Sequence, residues 1–523
     1  MKRALIVLAA ALALAAAPQP CYGAARRARE KALRKRSENL ERKFKHYYEK
    51  ENAEFGGKLK ELASWCAEKG LNEEASEIWR RAQAMDPEIE GDAPSSADAA
   101  PTEDDITECA RKKKALLDEH ARELFKLGGK CYKTGLIGRA YDMVWEVVQF
   151  DTDHEKARKF LGQVKYRGEW RTIYDALQLR RGKVFTEDYG WIPKKYREKY
   201  EQGLLPFQRR WLPAEKVEEI RSSWAHAWKY STEHFAIQTN VGLADAVAFG
   251  KVVEDNYEVF FRVFIGYFSP KSQTEMLFGA QRLKQRMKIN YFATKEEYAG
   301  SVRNAGGSAG MYIGRARTSN FFKMHSESDI RILKHETTHQ MFAETKKKSL
   351  PIGCGAWVVE ATATYMETCY RKDGKIVTEG KEAPWVKHFI PMLKADQAVP
   401  LGLFDQVTYE GFQMLGPIAY PQAASLALFF MEAEDGRYRE RFVDYIAAHY
   451  SGRLINSGAL AEYIGAPLQH LEREFHLFFL GEEGLADLEK LKAGESKIPE
   501  RPQENEPQED EKEKPGEGGE PSR

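Results

Sequence analysis

Residues 333–342 read Leu-Lys-His-Glu-Thr-Thr-His-Gln-Met-Phe, and this stretch restricts the fold more than any other. Side chains four apart on a helix lie nearly above one another, so His335 and His339 can aim both imidazoles at one point. Glu336 projects roughly 100° round the same helix, where it can reach a water instead of joining the ligands. Ile332 and Phe342 share the histidine stripe, which turns that face inward. Two unpaired imidazoles and a carboxylate on a buried face are costly to desolvate, and a metal ion relieves that cost. The competing reading is a chance His-Glu-x-x-His on an exposed helix. It weakens once a third ligand is sought, because zinc enzymes commonly use three protein ligands and leave one position for water. In residues 357–367, Trp357, Glu360, Thr364 and Glu367 share one helical face. Glu360 then belongs to a second helix facing the first.

The rest of the chain must supply the domains around that pair. With 523 residues, 42% of them apolar, two to four ordinary domains with real cores are expected. Lys plus Arg (80) and Asp plus Glu (79) leave a net charge of +1, which argues against a surface built to hold nucleic acid. Lys2 and Arg3 precede an apolar run over residues 4–17, then small residues before Ala25. This pattern predicts a secretory signal at residues 1–23 and a periplasmic or extracellular protein. Pro20 stands where a lipidation signal wants a small residue, which disfavours anchoring at Cys21. No later run reaches the ~20 apolar residues of a membrane span, so the mature chain is expected to be soluble. The five cysteines after Cys21 are sparse and lack a C-x-x-C spacing, so they read as buried thiols with at most a bridge or two.

Residues 24–90 combine a basic helical arm with a first helical hairpin. Residues 91–107 form a linker rich in Ala, Ser, Pro and acid, and residues 108–180 hold a second hairpin. The two hairpins match at an offset of 65 residues: Cys66 with Cys131, Gly70-Leu71 with Gly135-Leu136, Ala75 with Ala140 and Asp86 with Asp151. They resemble tetratricopeptide-type hairpins, and two copies are too few to stand alone, so a neighbour should cover them. Trp170, Trp191 and Trp211 punctuate the next stretch and read as small-module cores and connectors in preference to ligand-binding aromatics; residues 181–230 form a Trp/Gly-containing connector. Alternation at Phe235, Ile237 and Thr239, again over residues 287–293, and at Ala309, Met311 and Ile313 predicts strands, with a helix over residues 243–264. Residues 231–480 are read as one domain and 481–523 as a disordered polar tail.

From residue 232 to 480, and most strongly from 333 to 367, the chain resembles the gluzincin (thermolysin-like) zinc metallopeptidases, in particular a peptidase-MA-like branch of secreted bacterial proteins. The resemblance implies Zn2+ held by His335, His339 and Glu360, with Glu336 as general base. It also implies a substrate-lining strand near residues 311–315 and an oxyanion-stabilising tyrosine, for which Tyr420, before Pro421 and the apolar run 422–431, is the candidate. Two positions depart from the pattern. Ala361 stands where many relatives have glycine, and Thr364 stands where thermolysin has an aspartate that orients a ligand histidine. A threonine hydroxyl can accept that imidazole hydrogen bond but holds it less firmly. Cys354 reads as a buried thiol or as bridged to Cys369.

The expectation is a multidomain α+β protein with a helical-repeat front and a zincin-type domain made of a small sheet and a mainly helical lower half. Its function would be zinc-dependent hydrolysis of a peptide or protein substrate. The alternative is a catalytically weak or inactive zinc-binding protein whose repeats engage an envelope protein partner.

Overall fold

The computed structural model describes residues 24–96, 100–268, 286–303, 308–345, 351–452 and 459–494, with the backbone alone for 24–38. The expected signal at 1–23 and the polar stretch 495–523 lie outside the described residues. Among the described residues no helix is long and apolar enough to cross a membrane. The chain is mixed α+β and mostly helical, with small sheets.

Helices α1 (Ala24–Glu68) and α2 (Asn72–Met85) form the first hairpin, and α3 (Glu103–Thr134) and α4 (Ile137–Phe150) form the second. The matched residues do the same work in each copy. Gly70 (φ 79°) and Gly135 (φ 88°) take the left-handed conformation that ends a helix at little cost. Leu71 N then donates to Cys66 O at 2.9 Å, and Leu136 N to Cys131 O at 3.0 Å. Ala75 and Ala140 are both buried where the paired helices approach. Thr102 and Asp105 close a reciprocal capping box that starts α3, so the helix begins inside the stretch read as linker.

Three units of one design follow. Each is a two-stranded antiparallel hairpin and a short helix: β1 (Gln163–Tyr166), β2 (Glu169–Thr172) and α5 (Ile173–Arg180); β3 (Lys183–Thr186), β4 (Gly190–Pro193) and α6 (Arg197–Glu201); β5 (Leu204–Phe207), β6 (Arg210–Pro213) and α7 (Ala214–Arg221). Gly162, Gly182 and Gly203 precede the hairpins with φ of 73°, 72° and 72°, and Trp170, Trp191 and Trp211 sit in their second strands. The first unit falls within residues 108–180, which sequence reading assigns to a helical hairpin; that hairpin ends at Phe150.

The largest core surrounds a five-stranded sheet. Strands β7 (Trp228–Ser231) and β8 (Phe235–Thr239) lead to the long helix α8 (Leu243–Val263). Then come β9 (Met287–Phe292), α9 (Lys295–Ser301), β10 (Gly310–Ile313) and β11 (Thr318–Phe322). The sheet order is β10-β11-β9-β8-β7, parallel at β11/β9 and β9/β8 and antiparallel at the other two pairings. β10 therefore lies at a sheet edge. Helices α10 (Glu327–Thr345), α11 (Trp357–Thr368), α12 (Pro384–Lys394), α13 (Ala419–Gly436), α14 (Arg439–Tyr450) and α15 (Leu468–Lys492) follow, with a small hairpin (Tyr370–Lys372 with Lys375–Val377) and shorter helices between them. α15 breaks at Gly481 (φ 70°) but continues to Lys492, with Leu485 and Leu488 buried. The ordered chain thus passes the expected boundary at 480, because these two leucines still find a core.

Polar ties fix α10 to its surroundings. Asn256 of α8 donates to Thr337 at 2.8 Å, Ser319 of β11 donates to Gln340 at 2.8 Å, and Gln340 donates to the Lys288 carbonyl at 3.0 Å. Phe342 packs edge-on to Phe260 and Tyr267 and stacks on Tyr450. The helical front is held to this core through α4. The Glu440 carboxylate accepts from Gly138 N at 2.6 Å at the helix start, where exposed N–H groups favour an anion, and Arg439 donates to Asp142 at 2.8 Å. A Cβ on Gly138 would lie 2.8 Å from the Glu440 carboxylate oxygen. Gly138→Val should therefore cost about 1–3 kcal/mol, read as a lower urea midpoint. An unchanged midpoint would show that this seam carries no stability.

Candidate metal centre

His335 and His339 stand one turn apart on α10 with ring centroids 4.7 Å apart, and Glu360 reaches them from α11. One Glu360 oxygen lies 3.1 Å from His335 Nε2 and 3.6 Å from His339 Nε2. Ligand atoms of His335, His339 and Glu360 all fall within 4.8 Å of one another, so this group could hold a metal ion. α11 is buried along nearly its whole length, and Trp357 at its start stacks on Phe442. The carboxylate is thereby delivered on a rigid element.

The electrostatics of the group favour positive charge. Burial disfavours a charged His335, yet the carboxylates of Glu360 and Glu367 raise its pKa well above the usual histidine value. Burial likewise opposes ionisation of Glu360, but the two imidazoles outweigh it and hold that pKa well below the usual range. His339 Nδ1 is buried without a hydrogen-bond partner. An ion bound by the three side chains would offset the desolvation that each otherwise suffers, so the donor set fits a metal.

Glu336 is outside this group. Its carboxylate accepts a 2.7 Å hydrogen bond from Tyr312 N on the edge strand β10. Tyr420 lies in the first turn of α13, half-buried, its ring stacked on Trp385 at 5.7 Å and edge-on to Phe412 at 5.2 Å. Burial, then the charges of Glu360 and Glu336, raise its pKa and keep the hydroxyl protonated at neutral pH. Tyr409, in the short helix Tyr409–Met414, feels the same two carboxylates, and Gln413 stands beside both tyrosines. Sequence reading did not single out Tyr409, which has no spacing relation to the ligand motif.

The residue expected to orient a ligand histidine is different from the one found. Thr364 Oγ1 turns back to the Glu360 carbonyl at 2.8 Å, the ordinary fate of a threonine inside a helix. Glu367, two turns beyond Glu360, instead accepts from His335 Nδ1 at 2.7 Å, and Trp385 Nε1 donates to its other oxygen at 3.2 Å. That hydrogen bond leaves His335 Nε2 facing the metal position. The shared face of Glu360 and Glu367 is a signal that could have identified it. Cys354 and Cys369 are free thiols, and the Cys369 thiol donates to the Tyr365 carbonyl at 3.4 Å instead of meeting Cys354. A cavity of about 1080 Å3 opens elsewhere, between α4, α5 and α8, and no residue of the metal group lines it.

No protein-family model, curated protein or solved structure matches this chain.

Glu367→Ala should weaken metal binding by about 10–100-fold, because His335 loses its acceptor, whereas Thr364→Val should leave it nearly unchanged. Competition titration with a chromophoric chelator measures both, and the reverse order would return the orienting role to Thr364.

Proposed function

We propose that this chain is an exported zinc-dependent peptidase of gluzincin type. The observation that carries the reading is the convergence of His335, His339 and Glu360, with Glu336 one residue from a ligand yet outside the ligand group. When bound, zinc supplies Lewis acidity and makes a nearby water more acidic. Glu336 accepts a proton from the water that attacks the peptide carbonyl and returns it to the departing amine. Its present donor, Tyr312 N, belongs to a sheet edge on which an extended substrate can lie as an added strand. Tyr420, kept protonated by burial and the adjacent carboxylates, donates to the developing oxyanion.

A specific observation favours the second reading, an inactive zinc-binding protein that engages an envelope partner through its repeats. The 1080 Å3 cavity is lined by Tyr141 and Trp145 of the second hairpin, away from the metal group. A chain that binds one equivalent of zinc but cleaves nothing in a broad peptide library would support it.

On the peptidase reading, Glu336→Gln should retain zinc and lose nearly all turnover, while His339→Ala should lose the metal. Metal analysis beside peptide-library digestion separates the two, and an active Glu336→Gln protein would refute the general-base role. Tyr420→Phe should lower kcat by about 100-fold with zinc content intact. Unchanged kcat would leave Tyr420 as a packing residue.

A further inference from the structure

Cys66 lies in the last turn of α1, and Cys109 lies in the second turn of α3. Both are free thiols in the structure, their Sγ atoms 2.7 Å apart, and both side chains are buried in the core of the first hairpin. Unbonded carbons keep roughly 3.5–4.0 Å apart and sulfur is larger, while bonded sulfurs are about 2.0 Å apart. The pair is therefore closer than packing alone brings two thiols, and the fold already holds both sulfurs within reach of a bond. The repeat pairs Cys66 with Cys131 by sequence position, but the fold pairs it with Cys109, across the interface between α1 and α3.

We propose that Cys66 and Cys109 form a structural disulfide that staples α1 to α3. The inference is independent of the peptidase reading, since it uses none of the metal-centre residues. The oxidant is a small-molecule disulfide such as oxidised glutathione. One cysteine thiolate attacks it, forming a mixed disulfide and releasing one reagent thiol. The second cysteine thiolate then displaces the other. The two protein S–H bonds and the reagent S–S bond break, one protein S–S bond forms, and both protons end on reagent thiols. Burial and the neighbouring thiol push the Cys66 pKa up to about 12, so Cys66 attacks poorly once it is sealed in the core. The bond accordingly forms while the chain folds, before the core closes over it. The bridge would span a sequence separation of 43 residues, including the stretch between α2 and α3, and would restrict the unfolded front.

The test is to refold the full chain in a glutathione redox buffer, alkylate it under denaturing conditions without reduction, and map its peptides by mass spectrometry. The expected result is one linked peptide joining Cys66 to Cys109, lost on reduction, with Cys131, Cys354 and Cys369 alkylated. Recovery of alkylated Cys66 and Cys109, or linkage of either to another cysteine, would overturn the proposal. Reductant should also lower the thermal midpoint of the front by about 5 °C or more in the parent chain. Cys66→Ser should abolish that sensitivity. Should the variant fail to fold, the peptide map of the parent chain decides alone.

Discussion

Two carboxylates from one buried helix grip a single imidazole from another, and much of the architecture is arranged to permit this. Glu360 meets His335 at Nε2 and Glu367 meets it at Nδ1, so α10 and α11 must cross at a fixed separation and register. Charged groups so deeply buried are tolerable only where opposite charge and hydrogen bonds meet them on every side. The helix carrying the acids is therefore almost wholly enclosed, with Trp357 anchoring one end. The helix carrying the imidazoles is tied to the sheet through Gln340 and to α8 through Thr337. A shift of one turn in either helix would leave at least one buried carboxylate unpaired.

The front of the molecule is joined to this core by similar chemistry. Glu440 caps the start of α4 from the core side, and Arg439 beside it pairs with Asp142 of α4. A pair of helical hairpins exposes more apolar face than it can cover by itself, and contact along α4 supplies the missing partner. The second and third hairpin-helix units share a core of their own, in which Ile192, Leu205 and Val217 meet Leu243 and Val247 of α8. They link the front to the sheet as packed modules instead of an extended connector.

Local periodicity pointed to the group of His335, His339 and Glu360, because a helix turns spacing directly into shared direction. The strand alternation at Phe235, Ile237 and Thr239 was readable for the same reason: the inward face of β8 is fully buried. What stayed hidden depends on tertiary reach. Whether Thr364 or Glu367 would meet His335 depended on the helix crossing and on a threonine's preference for its own backbone carbonyl. Trp385 and Tyr409 approach the centre from distant segments with no periodic relation to it. The hairpin-helix units escaped because four-residue strands carry little alternation, leaving only a glycine and a tryptophan per unit to mark them. Leu485 and Leu488 were masked by the charged residues around them, although their spacing places both on the buried side of α15.

The position of Glu336 bears on what kind of metal centre this group could form. A centre needed only for folding is best closed by four protein ligands, and a nearby carboxylate that ligates nothing adds desolvation without benefit. Here three side chains converge, while Glu336 is held a short distance away by one backbone N–H. Among the described residues that donor sits on an edge strand of the sheet, where an added strand would compete for the same backbone group. A carboxylate restrained by one displaceable hydrogen bond is available to a water or a substrate in a way that a fully coordinated one is not. The arrangement is economical for a reactive centre and has no evident purpose in a structural one, which weights the peptidase reading above the repeat-only alternative.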